Sequence, residues 1–376
     1  MNTPLSKRKI RAAVVREAGK PLVIEDMTLG SPGPNEVLVR VVASGICHTD
    51  MVIRDQHYQT PLPLVLGHEG SGIIAAVGSN VTEIVPGDHV VMTYMSCGVC
   101  GICETGHPAH CKHVFPLNFG GGRMDGSTST TDARGAIVHD HFFGQSSFGE
   151  FAIASQRNVV KVPKTAPLEL LGPLGCGIQT GAGSVLNALK VRAGTSFVAF
   201  GAGAVGLSAV MAAKVAGATT IIAVDVNPAR LSLAMELGAT HTLDSRHVNA
   251  VDEVRKITAE GADFSLECSG RAEVLRQAID CLGIFGTCGI VGATKLGTEV
   301  SFDINSVMIP GRRIMGIVQG DVVAQTFIPT LVELHRQGRF PFDRLTRFYR
   351  FDEINQAMRD SESGETIKPI LRINPP

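Results

Sequence analysis

The chain has 376 residues, 44% of them hydrophobic and 18% charged, and a formal net charge of −1. That length exceeds one compact core and points to two domains. The near-neutral charge excludes an overall field drawing the chain to nucleic acid or anionic membrane.

No apolar run reaches the length of a membrane helix. The opening MNTPLSKRKI lacks the apolar core of a signal peptide. Nine cysteines, an odd number, fit reduced thiols in a cytoplasmic compartment better than a disulfide framework.

The first third reads as short β-branched strands divided by Gly, Pro and Asn: IRAAVVREAG, PLVIEDMTL, EVLVRVVASGIC, GSGIIAAVGSNV and PGDHVVMTY. These predict a mostly-β domain with long functional loops. Near residue 180 strands and helices begin to alternate. Strand SFVAF precedes a Gly-rich turn and helix AVGLSAVMAAKVAGA; strand TIIAVD and helix PARLSLAMELGA follow. Then come HTL, helix VNAVDEVRKITA, strand ADFSLEC, helix AEVLRQAIDCLG and strands GTCGIVG and RIMGIV. Apolar strands alternating with helices predict an α/β, doubly wound parallel sheet of the Rossmann type. Helices AQTFIPTLVELHRQG and FDEINQAMRD and strand IKPILRI close the chain. The expected division is 1–182, 183–320 and a C-terminal segment 321–376 that returns to the first domain.

GAGAVG at 201–206 fits G-x-G-x-x-G through Gly201, Gly203 and Gly206. The turn ends a strand and opens a helix, where glycine lets backbone approach a pyrophosphate and free N–H groups receive it. Asp225 follows Gly203 by 22 residues, the place where an acid meets the ribose hydroxyls. Its carboxylate would repel a 2′-phosphate and so favours NAD over NADP; Arg230 lies close enough to soften that repulsion.

CGVCGICETGHPAHC places Cys97, Cys100, Cys103 and Cys111 in one loop. Four thiolates can close a tetrahedron around zinc and leave no open position, so this site would be structural; an iron–sulfur cluster is the metal alternative. From Val91 to Gly122 the one strong base is Lys112, which argues against a nucleic-acid finger. A second set is scattered: Cys47 in GICHTD, His68 and Glu69 in LGHEG, and Cys176 in GPLGCGIQTG. Two sulfurs and an imidazole match a Cys₂His catalytic zinc with a fourth position open, although spacing alone does not bring them together.

These motifs in this order, CHTD, GHEGSG, PGDHV, CGVCGIC, GPLGCGIQTG and GAGAVG, resemble the zinc-dependent alcohol dehydrogenases of the medium-chain dehydrogenase/reductase superfamily. FFGQSSFGEFA resembles the aryl-alcohol and geraniol branch. The resemblance covers essentially the whole chain and implies a GroES-like catalytic domain beside the Rossmann domain. It implies two zincs per chain: a catalytic one on Cys47, His68 and Cys176, with Glu69 as alternative ligand, and a structural one on the four-cysteine loop. Asp50 would support His68, and Thr49 would bond the substrate oxygen and start a proton relay. His48 and Lys368 would flank the pyrophosphate of NAD, Asp225 and Arg230 the adenosine ribose, and Thr180 and Val205 the nicotinamide, with Val291 a further cofactor-binding residue.

Tyr58, Thr93, Tyr94, Phe115, Phe142, Phe143 and Val318 would line the substrate pocket, and Asn118 is a candidate to orient a polar substituent. Val52 stands where many members carry a relay histidine, so the proton would leave through the cofactor ribose and water or through His48. The implied activity is oxidation of primary aromatic or allylic alcohols by a cytoplasmic homodimer or homotetramer, with no nucleic-acid or membrane partner. The alternatives are a dehydrogenase of the same fold for secondary alcohols, polyols or S-hydroxymethyl thiol adducts, and a non-catalytic zinc and dinucleotide-binding protein.

Overall fold

The computed structural model describes residues 7–374; the first six residues of the opening stretch MNTPLSKRKI, and the last two of the chain, lie outside it. The chain divides into two compact units. One takes in the chain up to Cys176, Val323–Glu333 and Asp343 onward; the other is Gly177–Val322 with Leu334–Phe342. Relative to the expected boundary at 182, helix Gly177–Gly183 belongs to the second unit. A Cβ on Gly181 would lie 2.0 Å from the Val205 carbonyl, so this helix packs directly on helix Ala204–Ala216.

The first unit is built on two sheets. Five strands run in the order Leu64–Val65, Arg8–Val15, Val23–Leu29, Thr130–Asp132 and Ile137–Val138. A seven-stranded sheet runs Val159–Lys161, His89–Met92, Glu69–Val77, Glu36–Gly45, Lys368–Arg372 and Thr346–Arg350, with Phe151–Ser155 also paired to Glu36–Gly45. Ile10, Val14, Met27, Leu38, Val138 and Ile153 form a core in this unit, the alternating inward residues of half-buried strands. Strand Lys368–Arg372 lies antiparallel to Glu36–Gly45, with Ile370 opposite Gly45. The C-terminal segment therefore completes the sheet that carries the site.

The second unit is a parallel sheet in the order His241–Asp244, Thr220–Asp225, Ser196–Phe200, Ala262–Glu267, Leu282–Ile290 and Arg313–Gly316. This is the doubly wound order, whose ligand crevice opens at the carboxyl ends of the central strands. Val198, Phe200, Ile222, Val224, Val254 and Ile279 pack its core. These strands read as continuous apolar runs because helices cover both faces. Among the described residues no helix is long and apolar enough to cross a membrane.

Candidate active site

Neighbouring strand ends assemble one cluster. Gly45 pairs with Glu69 across the sheet, so the residues just past one strand and just before the other, Cys47 and His68, meet. Cys176 arrives from the turn Gly172–Gly175, which lies against the same sheet. A Cβ on Gly172 would sit 2.2 Å from the Glu69 carbonyl and one on Gly175 2.1 Å from that of Met92. Only glycine allows this approach. One donor atom from each of Cys47, His68, Glu69 and Cys176 falls within 4.8 Å of the others.

Asp50 organises this cluster from the third position of helix His48–Arg54. Its Oδ2 accepts the Cys47 N–H at 2.9 Å, which caps the helix. Its Oδ1 faces His68 Nδ1 at 3.0 Å and accepts the Gly67 N–H at 3.2 Å. Because an aspartate oxygen only accepts, Nδ1 carries a proton, and Nε2 is the nitrogen left for a second proton or a metal. His68 Nε2 is buried and has no hydrogen-bond partner. A buried polar atom left so is costly unless something occupies its lone pair, and with two thiols beside it the donor set suits zinc. Thr49 Oγ1 stands 3.8 Å from Cys47 Sγ.

The electrostatics agree with cation binding. The bond from Cys176 holds the Cys47 thiol well below its ordinary value, against desolvation and with help from the Lys368 charge. Burial disfavours charge on His68, but Asp50 outweighs it and raises the ring to about 10, so a proton and a metal compete for Nε2. Burial raises Glu69 to about 7, with Lys368 opposing.

Lys368, expected beside the pyrophosphate, is bonded within the first unit to the residues of this cluster. Its ammonium donates to both Glu69 oxygens at 2.9 Å and to the Ile46 carbonyl at 3.1 Å. Those bonds use its three donors. A carboxylate as buried as Glu69 needs a counter-charge, and strand Lys368–Arg372 delivers one beside Cys47.

Aromatic rings wall the cluster. Phe143 stacks on the His68 imidazole at 4.5 Å between centroids, and Phe142 meets it edge-on at 5.3 Å. Phe119 bridges Phe142, Phe143, Phe115 and Tyr58, with centroids 5.0 to 6.1 Å away. Of the other expected pocket residues, Tyr94 is buried, while Thr93 donates its hydroxyl to the Gly175 carbonyl at 2.7 Å and supports the Cys176 turn. Val318 is half exposed in the second unit. Asn118 is corrected: its amide is committed to Met95 and to the Val114 carbonyl, so it clamps the loop and does not present itself to a substrate.

The four-cysteine loop forms a second cluster, with its sulfurs mutually within 4.8 Å and none in a disulfide. Cys100 and Cys103 sulfurs are 3.5 Å apart and Cys97 and Cys103 4.0 Å. These distances bracket the edge of about 3.8 Å that four Zn–S bonds of ~2.3 Å require. Backbone N–H groups of Cys97 and His113 point at Cys111 Sγ, and those of Lys112 and Cys103 lower Cys100 to about 6. Replacing Cys103 with alanine breaks this four-sulfur donor set and is expected to abolish metal binding there and lower the thermal midpoint, because such binding energy would be folding energy. Metal analysis before and after unfolding checks it; an unchanged midpoint with one metal fewer would contradict a structural role.

In the second unit Gly201 takes φ +99° and a Cβ on Gly206 would lie 1.8 Å from the Gly201 carbonyl. The turn therefore tolerates no side chain at either place. Gly203, by contrast, opens helix Ala204–Ala216 and faces empty space, room for a phosphate at a helix N-terminus. Asp225 closes the turn by accepting from the Ala202, Val226 and Asn227 N–H groups at 2.6 to 2.8 Å. It borders a cavity of about 290 Å³ lined also by Val226, Ser245, Ser269 and Arg271. Arg230 Nε is buried without a partner. Thr180 precedes the Gly181–Val205 contact, and the Val291 N–H is held by the Glu267 carbonyl at 3.0 Å. His48 stands exposed in the first unit, and Val52 is buried in its helix.

Residues 33–164 match the alcohol dehydrogenase GroES-like domain and residues 204–336 the zinc-binding dehydrogenase family. Over 363 residues, 96% of this chain and 97% of the other, it is 46% identical to the geraniol dehydrogenase of Castellaniella defragrans. The chain belongs to the zinc-dependent alcohol dehydrogenases of the medium-chain dehydrogenase/reductase superfamily. The dehydrogenase is also 52% identical to the benzyl alcohol dehydrogenase of Acinetobacter calcoaceticus. That structure superposes with a TM-score of 0.95 over 97% of this chain and 99% of the other. An alcohol dehydrogenase zinc-binding domain protein from Burkholderia ambifaria is 60% identical with a TM-score of 0.97, covering 98% and 100%.

Several residues of the dehydrogenase escaped sequence reasoning. Phe119 carried a signal, since it stands one turn after Phe115 on helix Val114–Phe119. Gln145 carried none. Its amide donates to the His68 and Thr93 carbonyls at 2.9 and 3.2 Å and accepts the Gly70 N–H at 3.1 Å, tying both sides of the site together. Arg271 and Ser269 lie far from the glycine motif in sequence and join the cavity beside Asp225 only through the parallel order of the sheet.

Proposed function

We propose that the dehydrogenase oxidises primary aromatic or allylic alcohols to aldehydes with NAD, using one zinc ion for catalysis and a second for structure. The observation that carries the substrate class is the aromatic wall of Phe142, Phe143 and Phe119 packed around His68. Planar rings and allylic chains gain offset and edge contacts on such a wall that ethanol cannot make. The relatives named for geraniol and benzyl alcohol support the same class.

Cys47, His68 and Cys176 would hold the catalytic zinc, Glu69 would stand by as an alternative ligand, and Asp50 keeps the imidazole in the binding tautomer. Bound there, zinc would supply the Lewis acidity that brings an alcohol hydroxyl within reach of ionisation near neutral pH, and the nicotinamide would supply the hydride acceptor. Thr49 beside Cys47 would receive the hydroxyl proton. Asp225 favours NAD because its carboxylate opposes a 2′-phosphate. The nine free thiols suit a reducing cytoplasm.

Metal analysis together with NAD reduction rates on benzyl, cinnamyl, geranyl, hexyl and ethyl alcohols tests this reading. Highest kcat/KM on the first three is expected. Preference for ethanol, for secondary alcohols, or for a thiol adduct seen only with glutathione present would overturn the substrate class.

We also infer that the chain self-associates through its second unit. Strand Arg313–Gly316 forms an open sheet edge, and Ile284, Phe285 and Ile309 in that unit are each at least 70% exposed. A bare edge flanked by apolar side chains invites pairing with a second copy about a two-fold axis. Ile309→Lys is expected to shift the sedimentation mass toward the monomer; a parent already monomeric at micromolar concentration would refute the inference.

A further inference from the structure

The turn that carries Phe142 and Phe143 is unusual in its backbone. His141, Phe143 and Ser146 take φ of +60°, +52° and +53°, with Gly144 between them at +66°. Left-handed non-glycine residues cost energy and persist only where their surroundings over-determine them. Downstream the turn is well pinned. Asn158 donates to the Phe143 and Gly144 carbonyls at 3.1 Å, and the Ser146 hydroxyl donates to the Val65 carbonyl at 2.6 Å. At its start the anchor is electrostatic. His141 Nδ1 meets Asp140 in a very short contact and Nε2 faces Glu36 at 3.3 Å. Arg123 binds both Glu36 oxygens at 2.7 and 2.8 Å, and Asp140 also accepts from the Ser129 N–H and the Thr130 hydroxyl at 2.8 Å.

We propose that His141 is a positioning residue: as an imidazolium clamped between Asp140 and Glu36, it fixes the left-handed turn that holds Phe142 and Phe143 against His68. Both ring nitrogens face carboxylates, and a neutral imidazole has one N–H to give. The charged form also balances the group. Two carboxylates meet one imidazolium and one guanidinium, and no side chain among the four is more than 24% exposed. A deprotonated ring would leave a buried net negative charge and one repelled contact.

The groups facing His141 are Asp140 on its own turn, Glu36 from strand Glu36–Gly45 and Arg123 from the loop after helix Val114–Phe119. The other walls of the small cavity beside it, among them Ile10, Leu29 and Val65, carry no further titratable group. Burial works against the charge, but Asp140 and Glu36 raise the imidazole from 6.5 to about 9. A raised folded-state value means the clamp is complete below pH 6.5 and is lost as pH climbs through about 9.

The test is His141→Asn, since asparagine tolerates the left-handed region but carries no charge. Relative to the parent at pH 7.5, KM for benzyl alcohol is expected to rise about tenfold with kcat changed less and KM for NAD unchanged, the equivalent of one lost anchoring contact. Amides 142–148 should exchange with deuterium about tenfold faster, while those of the four-cysteine loop keep the parent rate. In the parent, KM and the exchange of amides 142–148, taken relative to their intrinsic base-catalysed rates, should both climb above pH 9; in the variant that pH-dependent step should be missing.

Should that variant not fold, Glu36→Gln tests the same charge, because removing one carboxylate should bring the pH of onset down toward neutrality. Parent-like KM and exchange in His141→Asn, or an unmoved onset in Glu36→Gln, would overturn the proposal. The KM measurement rests on the aromatic-alcohol reading and the exchange measurement does not. A parent inactive on benzyl alcohol but showing the exchange pattern would sink that reading and leave the positioning role standing.

Discussion

Replacing His68 with alanine is expected to abolish turnover while the far-ultraviolet spectrum stays that of the parent. His68 contributes the one nitrogen of its cluster, and Nε2 is the buried atom left without a partner inside the chain. Losing a Lewis acid removes several kcal/mol of transition-state stabilisation, which at 1.36 kcal/mol per tenfold means a fall of about 10³ or more. Metal content should drop by the equivalent held at this cluster, because the sulfurs of the four-cysteine loop are unaffected. Asp50→Asn is the milder companion. An amide cannot accept from both the Cys47 N–H and the His68 ring as the carboxylate does, so a loss of about 10- to 100-fold in metal affinity or activity is expected. Full turnover in a His68→Ala enzyme shown to lack that metal would refute the site.

Lys368→Met is expected to destabilise the dehydrogenase more than any surface change. Lys368 is 2% exposed and Glu69 is fully buried, and the lysine donates to both carboxylate oxygens. Removing one partner of a buried pair leaves an uncompensated charge, at about 3–5 kcal/mol. In the double variant Lys368→Met with Glu69→Gln the charge disappears with its partner, and most of the stability should return. Denaturant midpoints for parent, single and double variants measure this. Equal midpoints for the single and double variants would show that the pair carries no such coupling, and that Lys368 serves some purpose other than neutralising Glu69.

The Rossmann unit was legible almost residue by residue. SFVAF and TIIAVD are the strands Ser196–Phe200 and Thr220–Asp225, because continuous apolar runs bounded by glycine and helix signals admit one reading. Strand Thr346–Arg350 was not legible: its burial alternates irregularly and it enters the sheet only by lying beside Lys368–Arg372. The turn at 142–144 escaped for a related reason. FFGQSS has no helical or strand period, and left-handed phenylalanine has no local signature.

The contrast runs through the site itself. Local chemistry determined the four-cysteine loop and the Gly201–Gly206 turn, since each packs its donors or its close approaches within one short segment. Cys47, His68, Glu69, Cys176 and Lys368 are separated by up to 321 residues. Their meeting depends on the register of Gly45 opposite Glu69 and Ile370 opposite Gly45, and on glycines that let the Cys176 turn touch the sheet. Strand register is set by packing across the whole sheet. What each residue could do was therefore written in its side chain, and which residues do it together was decided by the fold.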